Sequence, residues 1–360
     1  MSDARLLQGS DAVARAAVEA GCRFFAGYPM LPFTDLLEAM ARLMPGVGGV
    51  CMNAETEIEA VNMALGAGAA GARAATGSCG QGIALMQEAI AEAALNEVPF
   101  VVFNMARGQQ DYFQATRGGG WGDYRTMCLA PKDVNEAVEH TQLLFHLADL
   151  YRSPVMMYGD YLISHTYMSV DISKREYGPL PEKDWALDGR RGGTGRSRQI
   201  WTWAMGKAND PGPGPDLHWQ RIAEKFDQIA RAEQRWEAVD CEDAETVVVS
   251  FGTAAPFVEQ VVAELREDGR RVGAFRPISL WPFPEAALAE ACRSASQVLV
   301  FEVNAGQMID DVRLSVGHRV PVRPLGRVSI DFSGMRQGEI LTVPWIRDRV
   351  RAAIQEVPSR

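Results

Sequence analysis

Short apolar runs alternate with longer amphipathic stretches from residue 10 to about residue 165. The short runs predict buried strands at 23–27, 72–76, 99–104 and 154–158. The longer stretches place apolar residues three or four positions apart, which predicts helices at 10–20, 35–44, 53–66, 82–95 and 134–151. Strands without polar alternation, separated by helices, are typical of a parallel sheet covered by helices on both faces.

The pattern changes between residues 170 and 240. Stretches rich in Gly, Pro and charge, 188–195 and 210–215, are typical of loops, and a helix is predicted over about 216–236. A second unit then alternates strands near 246–251, 272–275 and 298–302 with helices at 253–268 and 284–293. We therefore predict an α/β fold with two parallel-sheet domains, 1–170 and 244–360, joined by a linker and interface helix over 171–243.

Composition narrows the functional classes. The net charge is −10 and no long basic run occurs, which argues against nucleic acid as a partner. No run is apolar enough to span a membrane, and the N-terminus lacks the pattern of a signal peptide. The six cysteines are scattered without a Cys-x-x-Cys pair, so we expect a reducing cytoplasm and no metal or iron–sulfur site on this chain.

Three acids stand out at the start of the helix predicted over 53–66. Glu55, Glu57 and Glu59 open a segment whose apolar residues recur with helical spacing at Ala60, Met63, Ala64 and Ala67. An acid beside a core is costly unless it is exposed or has a partner, so one of the three is a candidate functional residue. The alternative is that all three favour the positive end of the helix dipole.

Two arginines follow the apolar strand predicted at 99–104. Arg107 is expected at the carboxyl edge of the sheet, where α/β proteins bind ligands, and its guanidinium suits a substrate carboxylate. Arg117 is a second candidate in the Gly-rich loop 107–121. The alternative for either arginine is a surface pair with Asp111 or Asp123.

The segment 77–82, Gly-Ser-Cys-Gly-Gln-Gly, reads as a tight turn between a strand and a helix. It lacks the glycine spacing and the lysine of the known phosphate-binding loops, so we do not expect it to hold a diphosphate. Cys79 within it is expected to be a small buried residue rather than a nucleophile.

Several fragments, in this order and spacing, resemble the alpha subunit of 2-oxoacid:ferredoxin oxidoreductases, which are thiamine-diphosphate enzymes. They are Phe25–Pro32, Glu57–Gly66, Thr76–Gly82, Arg107, Arg276–Pro284 and Glu302–Met308. The resemblance implies a thiamine-binding domain of the pyrimidine type at 1–170 and a smaller transketolase C-terminal-like domain at 244–360.

The resemblance also implies roles for individual residues. Glu57 would hydrogen-bond N1′ of the aminopyrimidine ring, with Glu55 as the alternative acid, and Arg107 would position the substrate carboxylate. Cofactor contacts are expected from Tyr28, Pro29, Gly77 and Ser78, and a substrate pocket from Leu31, Phe33, Arg107 and Arg117. Leu31 and Phe33 replace a Thr and a Ser of the family, which suggests either a bulkier or aromatic substrate or a subunit that has lost part of its catalytic role.

The implied reaction is the oxidative decarboxylation of a 2-oxoacid, an oxidoreductase acting on an oxo group, with the acyl product passing to coenzyme A. No Gly-Asp-Gly segment followed by Asn occurs, so a beta subunit is expected to hold the diphosphate and Mg²⁺. Gamma and ferredoxin-like subunits are expected to carry the iron–sulfur clusters. The alternatives are a non-redox thiamine-dependent decarboxylase or carboligase subunit, and a non-catalytic structural subunit of the same fold.

Overall fold

A computed structural model describes residues 4–187, 215–326 and 342–355 of the chain. The loops predicted at 188–195 and 210–214 lie outside these residues. The strands of the first domain are β1 (Arg5–Gln8), β2 (Phe24–Gly27), β3 (Val50–Asn53), β4 (Ala74–Ser78), β5 (Val101–Ala106), β6 (Met127–Leu129), β7 (Val155–Asp160) and β8 (Tyr167–Val170). Its helices are α1 (Gly9–Glu19), α2 (Thr34–Leu43), α3 (Glu57–Ala69), α4 (Gln81–Leu95), α5 (Tyr112–Thr116), α6 (Val134–Tyr151) and α7 (Tyr161–His165).

The first sheet is parallel along most of its width, as the sequence predicts. Among the described residues its order is β6-β7-β5-β4-β2-β3, and every one of these neighbours pairs in parallel. Because β4 and β5 are buried along their whole length, they show no polar alternation. The short elements β1, β3, β6, α5, α7 and β8 were not predicted.

β4 and β5 both end later than the sequence predicted, and this shift changes the position of candidate residues. β4 continues through Gly77 and Ser78, which were expected in a turn, and β5 ends at Ala106 rather than Asn104. Both strands therefore deliver their last residues directly to the carboxyl edge of the sheet. Arg107 follows β5 without an intervening loop.

The second domain is a smaller α/β unit. Its sheet, in the part of the chain that is described, has the order β14-β13-β10-β11-β9 and is parallel except for β9. The described elements after the first domain are, in chain order, α8 (Pro215–Ala232), β9 (Trp236–Val239), β10 (Thr246–Val249), α9 (Ala255–Glu267), β11 (Val272–Pro277), β12 (Ser279–Trp281), α10 (Glu285–Ala291), β13 (Gln297–Val300), α11 (Met308–Val316), β14 (Val322–Pro324) and α12 (Val343–Gln355). β9 lies in the segment predicted as linker and supplies an edge strand instead.

The second half of the chain contributes a strand to the sheet of the first domain. β12, from the second half of the chain, pairs antiparallel with β6 and extends the first sheet. In β11, just before β12, the buried Arg276 makes a bidentate ion pair with Glu136 of α6 at 2.7 and 2.9 Å. It also binds Glu237 at 3.0 Å. Packing crosses the domain boundaries predicted at 170 and 244, because β12 and Arg276 follow residue 244 and contact β6 and α6, which precede residue 170.

Three chemical features of the described residues bear on the class of protein. No described helix is both long and apolar enough to cross a membrane. All six cysteines are described and none forms a disulfide. Within the described ranges, no three His, Cys, Asp or Glu side chains cluster in the manner of a metal site.

We expect Arg276→Met to lower the free energy of unfolding by about 3–5 kcal/mol, because it leaves the partly buried Glu136 without its bidentate cation and Glu237 with Lys132 alone. Arg271→Met, at an exposed pair with Glu245, is the matched control and should cost at most about 1 kcal/mol. Denaturant unfolding measures both, and equal losses would contradict the role given to Arg276.

The difference should depend on pH. Burial by itself raises the pKa of Glu136, but the hydrogen bonds and charge of Arg276 outweigh it and lower that pKa. A carboxyl group whose pKa is lowered by folding stabilises the protein at pH values above its ordinary pKa. That stabilisation is lost as the pH falls through the lowered pKa. The gap between wild type and Arg276→Met should therefore be full at neutral pH and shrink below about pH 4.

Candidate active site

The three acids at the start of α3 have different surroundings, and only one of them is buried. Thr56 caps the helix by accepting the backbone N–H of Glu59 at 3.2 Å, and the Glu59 carboxylate accepts the N–H of Glu55 at 3.0 Å. Glu55 and Glu59 are exposed, whereas Glu57 is 3% exposed. Helix capping thus explains Glu59, and exposure to solvent accommodates Glu55, but neither explains the buried Glu57.

The buried face of α3 begins with Glu57. Its members follow helical spacing from that acid: Glu57, Ala60, Val61, Ala64 and Gly68. The sequence-based register was right for Ala60 and Ala64 and wrong for Met63, which is exposed. The reason is steric, because α3 packs closely through its small residues; a methyl group on Gly68 would come within 2.5 Å of the Pro99 carbonyl oxygen.

The Glu57 carboxylate packs against the start of α4. Ser78, the last residue of β4, donates its hydroxyl to Glu57 Oε1 at 3.1 Å. Gly82 leaves room for this contact, since a methyl group there would overlap both the Ser78 hydroxyl and the Glu57 carboxylate. Oε2 makes no hydrogen bond to any residue of the described ranges. One oxygen is therefore fixed, and the other keeps its capacity to accept a hydrogen bond.

Phe33 lies beneath the strand ends rather than at the surface. Its side chain is fully buried, and its ring stacks on Phe25 with 6.0 Å between centroids. A side chain at Gly27 or Gly77 would collide with the Phe33 ring. The prediction that Phe33 lines a substrate pocket gains no support from this position, because Phe33 belongs to the core that supports the site.

Tyr28 and Pro29, predicted to contact a cofactor, follow β2 at the same edge of the sheet. Tyr28 is half-buried and Pro29 is exposed. Gly77 and Ser78 lie beside them at the end of β4, which pairs with β2. The structure therefore brings all four predicted cofactor contacts to one edge, next to Glu57.

Arg107 is oriented by the backbone of Leu31. Its Nε donates to the Leu31 carbonyl at 3.1 Å, and the Cys79 thiol donates to the same oxygen at 3.2 Å. Nη1 and Nη2 make no hydrogen bond or ion pair with a described residue. The guanidinium is thus held at one nitrogen, while the other two remain for a carboxylate ligand.

Cys79 has the structural character that the sequence predicted. It is fully buried, and burial raises the pKa of its thiol to about 11. The thiol is therefore protonated at neutral pH and serves as a hydrogen-bond donor to Leu31.

Arg117 does not share the environment of Arg107. Its guanidinium forms a bidentate ion pair with Asp311 of α11 at 2.8 and 2.9 Å. Neither Asp111 nor Asp123 is its partner, so that alternative was wrong, and the predicted substrate contact gains no support. The pair joins residues 194 positions apart, which no local pattern could have indicated.

Asp111 was predicted only as a possible partner for an arginine, but in the structure it links the loop after β5 to Gly80 and to Tyr158 of β7. Its Oδ2 accepts the N–H of Gly80 at 2.8 Å, and its own N–H donates to the Tyr158 hydroxyl at 3.2 Å. Burial raises the pKa of Asp111, and the Gly80 N–H and the Arg107 charge act in the opposite direction. Asp111 thereby joins the chain after β4, β5 and β7.

Five exposed apolar side chains lie on the loop after β2, on β3 and on α3. Leu31, Val50, Met52, Ile58 and Met63 are each between 37% and 64% exposed. Val50 and Met52 belong to β3, the edge strand of the first sheet. We call these five residues the apolar rim.

The arrangement suits one end of a cofactor better than the other. A buried carboxylate can form a strong hydrogen bond to a heteroaromatic ring, and a free guanidinium can bind a carboxylate. The residues of the turn at 77–82 are not basic, and metal-type clusters are absent from the described residues. The residues present therefore fit the pyrimidine ring of thiamine and not its diphosphate.

Two family profiles match the chain. Residues 15–194 match the family described as "Pyruvate flavodoxin/ferredoxin oxidoreductase, thiamine diP-bdg". Residues 244–331 match "Pyruvate:ferredoxin oxidoreductase core domain II".

Similar proteins cover nearly the whole chain. The 2-oxoglutarate synthase subunit KorA of Methanothermobacter thermautotrophicus is 36% identical over 95% of this chain and 98% of its own. The ketoisovalerate oxidoreductase subunit VorB of Methanothermobacter marburgensis is 33% identical over 88% of this chain and 90% of its own.

Solved structures give the same relationship. The 2-oxoglutarate:ferredoxin oxidoreductase from Magnetococcus marinus, with 2-oxoglutarate, coenzyme A and succinyl-CoA bound, has a TM-score of 0.82 and 25% identity. The match covers 98% of this chain and 66% of that one. A split-gene transketolase, an inactive beta4 tetramer, has a TM-score of 0.58 at 12% identity and shows the fold alone.

We expect Gly82→Ala to lower the free energy of unfolding by about 1–3 kcal/mol, because the added methyl group must displace Glu57 or Ser78. Gly66→Ala is the matched control, since Gly66 lies in α3 with open space around it and Ala favours a helix by up to about 1 kcal/mol. Denaturant unfolding compares the two, and a neutral Gly82→Ala would show that the contact between α3 and α4 is loose.

Proposed function

The chain belongs to the thiamine-dependent 2-oxoacid:ferredoxin oxidoreductases as an alpha-type subunit, and on this premise we propose that its Glu57 site serves the oxidative decarboxylation of a 2-oxoacid. Thiamine diphosphate, when bound, supplies the carbon nucleophile for that chemistry. The observation that carries the proposal is the buried Glu57 carboxylate, with one oxygen fixed by Ser78 and the other unused among the described residues.

Glu57 would accept a hydrogen bond from the pyrimidine ring nitrogen N1′ through Oε2. Burial strengthens such a bond, because water does not compete for the carboxylate. Tyr28, Pro29, Gly77 and Ser78 would frame the ring at the same edge.

Arg107 would bind the carboxylate of the 2-oxoacid. Two of its guanidinium nitrogens have no partner among the described residues, and the Leu31 carbonyl fixes the third. A planar guanidinium held in this way can bind a carboxylate through two parallel hydrogen bonds.

Other chains would complete the enzyme. The apolar rim, which includes Ile58 next to Glu57 in α3 and Leu31 next to Arg107, is the surface that a beta subunit would cover, and that subunit would bring the diphosphate and Mg²⁺ sites. Gamma and ferredoxin-like subunits would carry the iron–sulfur clusters that take up the electrons. Coenzyme A as acyl acceptor is supported by the Magnetococcus marinus enzyme, whose structure contains coenzyme A and succinyl-CoA.

A cytoplasmic location agrees with this assembly. All six cysteines lie in described residues without a disulfide, and five of them are buried. Free thiols persist in reducing compartments, where iron–sulfur partners are also found.

Glu57→Gln in the assembled complex tests the proposal. It keeps the shape of the side chain but removes the carboxylate charge that would favour a proton on N1′ of the ring. Thiamine-dependent reduction of methyl viologen by the 2-oxoacid should therefore fall by at least about 100-fold. Exchange of the thiamine C2 proton with deuterium, followed by NMR, should slow in parallel.

Glu55→Gln and Glu59→Gln are the matched controls, because both acids are exposed and serve the helix start. Full activity of Glu57→Gln would exclude the assignment and favour the structural-subunit alternative. Turnover of the 2-oxoacid without reduction of the viologen would favour the non-redox decarboxylase or carboligase.

The exposed Leu31 beside Arg107 supports a 2-oxoacid with an apolar side chain. Leu31 is 64% exposed, and its carbonyl holds Arg107. A dicarboxylic 2-oxoacid needs a second cation, and Arg117 is already paired with Asp311. The identities to the 2-oxoglutarate and ketoisovalerate relatives, 36% and 33%, are too close to decide between these substrates.

We expect the assembled complex to show a higher kcat/KM with 2-ketoisovalerate than with 2-oxoglutarate. Leu31→Thr should reduce that ratio by about 10-fold, because a hydroxyl replaces apolar contact area. Leu314→Thr, at an exposed leucine of α11, is the control and should leave the ratio unchanged. A preference for 2-oxoglutarate that Leu31→Thr does not alter would contradict this choice of substrate.

A further inference from the structure

The segment that carries Arg107 is held by the second domain through one buried glutamine. Gln109 is 3% exposed, although it lies in a loop two residues after Arg107. Its Nε2 donates to the Phe251 carbonyl at 2.9 Å, and its Oε1 accepts the N–H of Val303 at 2.6 Å. Its backbone carbonyl accepts the Asn304 side chain at 2.7 Å. Three polar groups of Gln109 thus bind the second domain.

The residues that follow Gln109 are held in the same way. The Gln307 amide donates to the Gln110 carbonyl at 2.9 Å and accepts the N–H of Phe113 at 3.0 Å. Farther along, Asp311 accepts hydrogen bonds from Tyr112 and Arg117. The second domain therefore fixes the chain from Gln109 to Arg117.

The gripping turn, Asn304–Gln307, is itself rigid. The buried Glu302 carboxylate accepts three backbone N–H groups, those of Gln307, Met308 and Ile309, at 2.8–3.2 Å. Asn304 Oδ1 accepts the N–H of Gly306 at 2.8 Å, and Gly306 has a φ of 100°, which favours glycine. Residues 302–308 are one of the fragments that resemble the family, and the role proposed for Glu57 does not explain why they are present.

The first domain grips the opposite side of the same segment. The Tyr158 hydroxyl donates to the Gly108 carbonyl at 3.2 Å, and the Asp111 carboxylate binds Gly80. Arg107 itself is exposed and has only the Leu31 carbonyl as a hydrogen-bond partner among the described residues. Its place therefore depends on the backbone that Gln109 and Tyr158 hold.

We propose that Gln109 is a positioning residue through which the second domain sets Arg107 for the carboxylate of the 2-oxoacid. The inference rests on the proposed function, since it assigns Arg107 to substrate. It gives the second domain a part in substrate binding in addition to any part in assembly. Gln109 does not touch Glu57, so activation of the cofactor does not depend on it.

Gln109→Met in the assembled complex tests the inference. Methionine fills a similar volume but makes neither side-chain hydrogen bond, so the backbone at Arg107 loses its anchor. KM for the 2-oxoacid should rise about 10-fold, kcat should change less than about 3-fold, and exchange of the thiamine C2 proton should stay unchanged. Gln110→Met is the matched control, because that side chain is exposed and its backbone contact is retained.

A double-mutant cycle shows whether Gln109 acts through Arg107. Arg107→Lys alone should raise KM for the 2-oxoacid by about 10-fold or more. Adding Gln109→Met to Arg107→Lys should then raise KM by less than about 2-fold, because the geometry that Gln109 protects is already lost. Equal effects of Gln109→Met in both backgrounds would overturn the inference.

Hydrogen exchange gives a readout that does not need activity. Amides of residues 107–113 should lose protection in Gln109→Met, while those of α4 keep theirs. Should Gln109→Met not assemble, Asn304→Ala removes only the contacts of one side chain and should raise KM about 3-fold. Unchanged protection together with unchanged KM in either variant would exclude the positioning role. Failure of the proposed function is separate, because it appears as full activity of Glu57→Gln.

Discussion

The burial of one carboxylate constrains the whole carboxyl edge of the first sheet. Burying a carboxylate is costly unless it is hydrogen-bonded, and Ser78 donates to Glu57 Oε1 at 3.1 Å. That bond requires β4 to continue to Ser78, α4 to start without a side chain at position 82, and α3 to present its small residues to the core. Changes at any of these places reach the Oε2 atom that the cofactor would meet.

A second constraint comes from the division of labour between the domains. The sheet ends bring Glu57, Ser78 and Arg107 to one edge, but the loop that carries Arg107 is held by the second domain as well as by the first. The site is thus shared within one chain before any partner is added. The chain is not sufficient by itself, since its described residues suit the ring of thiamine and contain no cluster of acids, histidines or cysteines that could hold the metal of the diphosphate.

Local sequence patterns predicted the fold class, the parallel character of the first sheet and the bounds of α6, because each depends on apolar spacing within a short window. They also singled out Glu57 and Arg107, although the family resemblance was needed to choose Glu57 over Glu55. The register of α3 failed at Met63, since apolarity alone does not show that close packing requires small residues. The partner of Arg117 and the roles of Gln109 and Asp111 depend on contacts between distant parts of the chain, and no local pattern carries that information.

The strand β12 has a consequence for the biosynthesis of the chain. Residues 279–281 supply the edge strand next to β6, so the first sheet remains incomplete until the ribosome has made most of the chain. Before that, β6 presents unpaired backbone groups, which invite pairing with another nascent molecule. A gene division between the two halves would leave this edge open in the first product. Translation as one continuous polypeptide supplies the missing strand at a one-to-one ratio and in the same molecule.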